Sequence, residues 1–101
     1  MMEISIPKME RACEEVCLIL KALSHPQRLL VMGHLFKGPK TVSELVDLCG
    51  ISQSQMSQFL MRMGSEGLVK SERQGKFKLY SVADHRLIEL MKTIQAQYCR
   101  R

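Results

Sequence analysis

The chain has 101 residues, 46% hydrophobic and 25% charged, which suits one domain with a core small enough to gain from burial in an oligomer. Lys and Arg outnumber Asp and Glu by 15 to 10, a balance that suits a polyanionic partner, and no apolar run approaches the ~20 residues of a helical membrane span. The four cysteines, Cys13, Cys17, Cys49 and Cys99, are too sparse and irregular for the disulfide framework of a secreted domain. Met1 to Pro7 lacks the apolar stretch of a signal peptide. The expected location is therefore cytoplasmic, with no membrane partner and with reduced thiols.

Residues 1–8 read as a short N-terminal tail and 9–101 as a single domain. Between 9 and 23, Met9, Ala12, Cys13, Val16, Leu20 and Leu23 recur at the three-four spacing of one apolar helical stripe. Ser24 and Pro26 restart a helix, because Pro is well tolerated in a first turn. Leu29, Leu30, Gly33 and Phe36 form its expected buried face, with Gly33 marking the approach of another helix. After the break Lys37-Gly38-Pro39-Lys40, Thr41 and Glu44 stand at the spacing of a capping box. Val42, Leu45, Val46 and Cys49 share one face of this third helix, and Gly50 can end it in the left-handed conformation. Ser52 to Gln55 is a second capping box and opens a fourth helix that runs to near Gly67. Two capped helices joined by Gly50-Ile51-Ser52 make a helix-turn-helix.

Beyond Gly67 the pattern changes. Leu68 to Arg73 and Phe77 to Val82 carry β-branched and aromatic residues around the turn Gln74-Gly75-Lys76, which predicts a hairpin, or wing. A last helix runs from about Asp84, a plausible cap, to Tyr98, with Leu87, Leu90, Met91, Ile94 and Tyr98 on its apolar face. The expected fold class is mainly α with a small β-hairpin (α+β). It is a winged helix-turn-helix with four helices before the hairpin and one after it. The first and last helices are the expected homodimer interface across a two-fold axis.

In the fourth helix Met56, Phe59, Leu60 and Met63 can face the core, leaving Gln53, Ser54, Gln55, Ser57, Gln58 and Arg62 in front. Gln can pair with an adenine edge, Ser can serve several bases, and amides at a helix start can meet a phosphate. Thr41 and Ser52, the two hydroxyl caps, complete the expected contact set on that side. From Lys70 to Lys78 the wing carries Lys70, Arg73, Lys76 and Lys78 against Glu72 alone. Arg73, Lys76 and Lys78 can therefore reach phosphates. A solvated helix face and an edge strand kept soluble by Lys are the plain alternatives, and a winged helix used only for protein contacts is the rival from another class. No Gly-rich phosphate loop, catalytic metal pair or nucleophile with an evident base is present, so neither an enzyme nor a cofactor is expected.

Three segments are specific enough to carry a resemblance: Lys21 to Leu30, Ser52 to Leu60, and Glu66-Gly67-Leu68-Val69. In these the chain resembles the ArsR/SmtB family of winged-helix repressors, over nearly its whole length after the first few residues. The resemblance implies a dimeric repressor released from its double-stranded DNA operator by a metal ion or a thiol-reactive signal, with recognition positions at Ser52 to Gln58. It also bears on the effector. The family's thiolate metal sites use a Cys-x-Cys in the third helix, where this chain has only Cys49; its zinc sites use paired Asp and His along the last helix, where Asp84 and His85 are adjacent and no second His follows. No metal site is expected, and His25, His34 and His85 read as structural or surface residues.

The Ser-His-Pro segment and Tyr98-Cys99 resemble the branch that responds to reactive sulfur or oxidants. That branch pairs a last-helix Cys with one in the second helix, where this chain has Gly33. The redox-sensing candidates are therefore Cys99, with Cys17 or Cys13 able to stand in for the missing partner. Cys13 and Cys17 lie on neighbouring turns of one helix face; Cys13 and Cys49 also fit small core positions. A soft metal or metalloid held by Cys ligands is the alternative effector.

Overall fold

The computed structural model describes residues 3–99. The first two residues of the expected tail and the last two of the expected domain lie outside it. The elements are α1 (Ile6–Leu23), α2 (Pro26–Phe36), α3 (Val42–Cys49), α4 (Gln53–Ser65), β1 (Val69–Gln74), β2 (Phe77–Val82) and α5 (His85–Tyr98). This is the mainly helical winged helix-turn-helix that the sequence pattern implies.

Each boundary has a local cause. The Ser5 hydroxyl accepts the Lys8 amide and Pro7 sits in the first turn, so α1 starts at Ile6 and the expected tail is shorter than eight residues. His25 caps α2 through Nδ1, which accepts the Gln27 amide at 3.2 Å. The Thr41 box closes in both directions: Thr41 Oγ1 accepts the Glu44 amide at 3.1 Å, and Glu44 Oε1 accepts the Thr41 amide at 2.8 Å. Gly50, at φ 68°, ends α3. Ser52 Oγ accepts the Gln55 amide at 3.1 Å, but among the described residues the Gln55 side chain returns no bond, so only half of the second box forms. Gln74 pairs with Phe77 across a two-residue loop in which Gly75 has φ 62° and Lys76 does not have positive φ. That sign pattern belongs to a type II′ hairpin turn, whose twist matches the flanking strands.

The core gathers Leu23, Val31, Met32, Leu35, Leu45, Met56, Phe59, Leu60, Met63, Leu68, Val69, Leu87 and Met91, with Ala22. The α1 stripe, on a helix expected at a dimer interface, lies mostly outside this core, and the expected face of α2 differs from it. Of the α1 stripe only Leu23 is buried; Met9, Cys13, Val16 and Leu20 are exposed and Ala12 is half-buried. The protomer covers α1 only along the side that carries Ile19, Ala22 and Leu23, so the stripe beside it has no cover within the protomer. In α2 the buried residues are Val31, Met32 and Leu35, whereas Leu30 is exposed and Leu29, Gly33 and Phe36 are half-buried. This helix packs against α1, α3, α5 and β2 at once, so its burial does not follow one stripe. Gly33 does face α5, but loosely: an added Cβ would meet Met91 Cε at an ordinary 4.0 Å.

Non-local bonds hold the wing at its base. Lys40 and Tyr80 exchange two backbone hydrogen bonds, at 3.0 and 2.8 Å, which ties the loop before α3 to β2. The Ala83 amide donates to the Leu68 carbonyl at 2.9 Å and closes the stem.

At the start of α5, Arg86 bridges Asp84 at 2.7 Å and Glu15 of α1 at 3.1 Å. Hydrogen bonds from the Arg86 side chain, then from its backbone amide, hold Asp84 well below the usual carboxylate range, at about 2. A carboxylate with a depressed folded-state pKa adds stability that is fully present above its unfolded value of about 3.9 and lost as pH falls through the folded value. The difference in urea midpoint between the parent and Asp84→Asn is therefore expected to be constant above roughly pH 5 and to shrink toward pH 2. A difference that stays flat across that window would remove Asp84 from the acid response.

Candidate nucleic-acid interface

The orientation of α4 follows from four side chains. Met56, Phe59, Leu60 and Met63 recur at three-four spacing and are all buried. Full burial of such a side chain is worth roughly 1.5–3 kcal/mol, so turning the helix would forfeit most of its packing. The opposite side leaves Gln53, Ser54, Ser57 and Gln58 exposed and Gln55 half-buried. Among the described residues, Gln53, Ser57 and Gln58 make no side-chain hydrogen bond, and Ser54 Oγ meets only Ser52 Oγ, at 3.3 Å. Ser52 is spent partly on its cap, and Thr41 likewise caps α3 while keeping its O–H free to donate. Arg62 is paired with Glu66 at 3.2 Å on the surface, a weak engagement that a stronger anion can displace.

Beside α4 runs a groove lined by Ser57, Met61, Gly64, Lys70, Ser71 and Lys78. Met61 is 75% exposed and was not among the residues expected to make contacts. Its sequence signal was an apolar residue out of step with the core stripe. Across the hairpin, the pairs Val69–Val82, Ser71–Tyr80 and Arg73–Lys78 share one face. Val69, Tyr80 and Val82 carry that face onto the core, and Arg73 and Lys78 extend it toward the tip. Lys70, Arg73, Lys76 and Lys78 are exposed, and among the described residues none has an ion-pair partner.

One supporting cluster was not foreseen in its geometry. The His25 ring meets Phe59 edge-on at 5.2 Å, and the Arg28 guanidinium lies 6.0 Å from the same ring. The first turn of α2 is thereby set against the back of α4.

This architecture has known counterparts. The family model described as bacterial regulatory protein, arsR family, matches residues 25–71. The HTH-type transcriptional regulator YgaV of Escherichia coli (strain K12) is 36% identical over 95 residues, which span 93% of this chain and 96% of that protein. The chain belongs to the arsR family. The biofilm growth-associated repressor of Agrobacterium fabrum (strain C58) is 34% identical over 96% of this chain and 83% of its own length. The crystal structure of the transcriptional repressor BigR from Xylella fastidiosa has a TM-score of 0.90 at 31% identity, covering 97% of this chain and 100% of that one. This arsR-family chain is a DNA-binding transcriptional regulator, not an enzyme.

The four cysteines fall at three places, all as free thiols. Cys49 is half-buried against the core, where burial pushes its thiol up. Cys13 is exposed, which corrects the expectation that it serves as a small core residue; the uncovered side of α1 is the reason. Cys17 lines an exposed patch with Glu14, Leu18 and Lys21, whereas Cys99 lines an apolar groove between α2 and α5 with Pro26, Leu29, Gly33, Met91 and Ile94. The fold thus sets Cys99 opposite Gly33 and places Cys13 and Cys17 on another surface. Among the described residues no three or more His, Cys, Asp or Glu side chains are gathered to hold a metal ion.

Proposed function

We propose that the chain is a homodimeric transcriptional repressor that grips double-stranded operator DNA with α4 and the wing of each protomer. Its grip is governed by the state of its exposed thiols, Cys99 foremost. The observation that carries the reading is the pairing of a rigidly held, outward Ser/Gln face on α4 with cations on the adjoining wing that have no ion-pair partner among the described residues. Gln53, Gln55 and Gln58 offer paired donor and acceptor atoms to base edges, and Ser54 and Ser57 serve smaller contacts. Thr41, Ser52, Arg62, Arg73, Lys76 and Lys78 reach the sugar-phosphate backbone and set register.

The second copy is argued from α1. Ile6, Met9, Val16 and Leu20 are exposed on the same side as Cys13 and Cys17, and Val16 and Leu20 also line a groove with Leu87 and Leu90 of α5. Such a contiguous apolar surface on a small domain marks an interface. A two-fold dimer through α1 and α5 presents two α4 helices to half-sites about 34 Å apart. The proposed setting is the cytoplasm; no helix of the described residues is long and apolar enough to cross a membrane.

For the switch, reactive sulfur is the proposed effector. A polysulfide donates one sulfur atom to the Cys99 thiolate, leaving a persulfide and a polysulfide one sulfur shorter. The added sulfur enters the groove beside Pro26 and Leu29, one turn from the His25 ring that packs on Phe59 of α4. Modified and unmodified protein then differ in DNA affinity, which any effector requires. Cys17 and Cys13 are secondary sites, since their modification would disturb the dimer face rather than α2.

Mobility shifts on DNA upstream of the chain's own gene test the grip. Arg73→Ala or Lys76→Ala is expected to weaken all sequences alike and lower the salt slope by about 1, while Gln55→Ala or Gln58→Ala should cost about 1–3 kcal/mol of discrimination at one base position. Unchanged slopes would remove the wing from the interface. Sedimentation at micromolar concentration should give a dimer that Leu20→Glu splits; a monomeric parent contradicts the two-fold arrangement. Cys99→Ser should bind like the parent and no longer release DNA under polysulfide. If it is released as readily, the thiol reading fails.

A further inference from the structure

Phe77 is a side chain that neither the core nor the phosphate contacts account for. This large aromatic residue is 65% exposed and opens β2, directly after the Gly75-Lys76 loop and opposite Gln74. It stands apart from the core and from the apolar residues packed against it. Its face is the one opposite Val69 and Tyr80, shared with Leu79. Hairpin tips and edges are ordinarily polar, which keeps them from pairing or sticking. An exposed aromatic ring there is expensive unless a partner covers it.

The surrounding charge indicates the partner. Lys76 precedes Phe77 in the loop, and Arg73 and Lys78 pair on the other face of the same tip, while Glu72 lies on the ring's own face; none of the three cations is ion-paired among the described residues. A tip that carries three free cations and an exposed ring fits a polyanion with apolar edges between its charges, which is the make-up of duplex DNA. The reach also fits. A strand of this length spans roughly 17–20 Å, comparable to half of the ~34 Å turn of the duplex. With α4 in a major groove, the wing tip arrives at the neighbouring minor groove. Lys40 and Leu68 hold the stem at its base, so the tip is delivered rather than left to search.

We propose that Phe77 is a wedge that enters the minor groove beside each half-site and presses into a base step. The proposal rests on the wing reading above and adds a source of sequence preference to it. A phenyl ring has no donor or acceptor and reads no base code. Apolar side chains in the minor groove instead partly unstack the step they enter. The cost depends on how easily the step opens, and pyrimidine–purine steps such as TA are the softest. Flanking positions that make no hydrogen bond to the protein thereby become selective. Lys76 in the loop, with Arg73 and Lys78 on the other face of the tip, neutralises nearby phosphates and holds the tip against the groove.

The test uses the full chain and duplexes from DNA upstream of its own gene, with the step under each wing set to TA or to AA. Phe77→Ser is expected to lose about tenfold in affinity on the TA duplex, to lose the TA-over-AA preference, and to keep the parent's salt slope, because no charge is removed. Phe77→Leu, which keeps an apolar wedge, should recover most of both effects. The thermal midpoint should be unchanged, since the ring supports no core contact. 2-Aminopurine at the step should brighten on binding the parent and stay dim with Phe77→Ser. Lys76→Ala is the control for the wing itself. If Lys76→Ala lowers the salt slope while Phe77→Ser binds like the parent, the wedge is wrong and the wing reading stands. If neither variant changes binding, the wing reading has failed as well. A change of oligomeric mass in Phe77→Ser would make a second copy the ring's occupant and would also overturn the proposal.

Discussion

Burial of Met56, Phe59, Leu60 and Met63 along one side of α4 is the constraint from which the presented surface follows. A helix with four buried contacts on one side has a fixed rotation. The cost of turning it, several side chains at roughly 1.5–3 kcal/mol each, rivals the whole stability of a small domain. The polar side is therefore preorganised, and binding does not have to order it. Phe59 adds a second restraint, because His25, the cap of α2, and Arg28 within it lie against its ring. What α4 shows to solvent is decided by what it hides, and its neighbour α2 bears on that arrangement.

The distribution of ion pairs separates structural cations from available ones. Arg62 meets Glu66, Arg86 meets Asp84 and Glu15, and Lys92 meets Glu89. Exposed pairs of this kind add little stability, so their value as evidence lies elsewhere: they mark charges already engaged. Among the described residues the wing cations are not engaged, and they sit on a hairpin whose base is pinned by Lys40 and Leu68. A rigid stem with unspent charge at its end is suited to reaching a phosphate backbone at a set distance from α4.

Local signals were legible in the sequence. Thr41 with Glu44, Gly50, Ser52, Gly75 and Asp84 each satisfy a backbone requirement within a few residues, so residue type alone locates the boundary. Contacts between distant segments were not. Nothing in Lys40 announces a bridge to Tyr80, because the bonds use backbone atoms that every residue has. Nor does His25 announce that Phe59 would be its neighbour. On α4 the core stripe was readable because the helix packs on one side only. On α2 it was not, because several elements surround that helix. The cap on α1 was missed because Ser5 lay in a stretch that lacked the apolar stripe used to find the helix.

The exposed stripe of α1 is itself informative. A regular stripe of Met9, Cys13, Val16 and Leu20 at helical spacing implies burial, and the protomer does not supply it. Periodicity records burial without saying against what. A domain of this size has limited core to spare, so a stripe left outside is best understood as the half of a core completed by another copy. That placement also sorts the thiols. On the proposed dimer Cys13 and Cys17 belong to the interface, where modification would compete with association. Cys99 lies in the α2/α5 groove, against the helix whose first turn bears on α4. Under the proposed thiol control, a change at Cys99 would act on the recognition surface while the proposed dimer stays whole, which is what a reversible regulator needs: the two half-sites would remain linked, and only their fit to DNA would be altered.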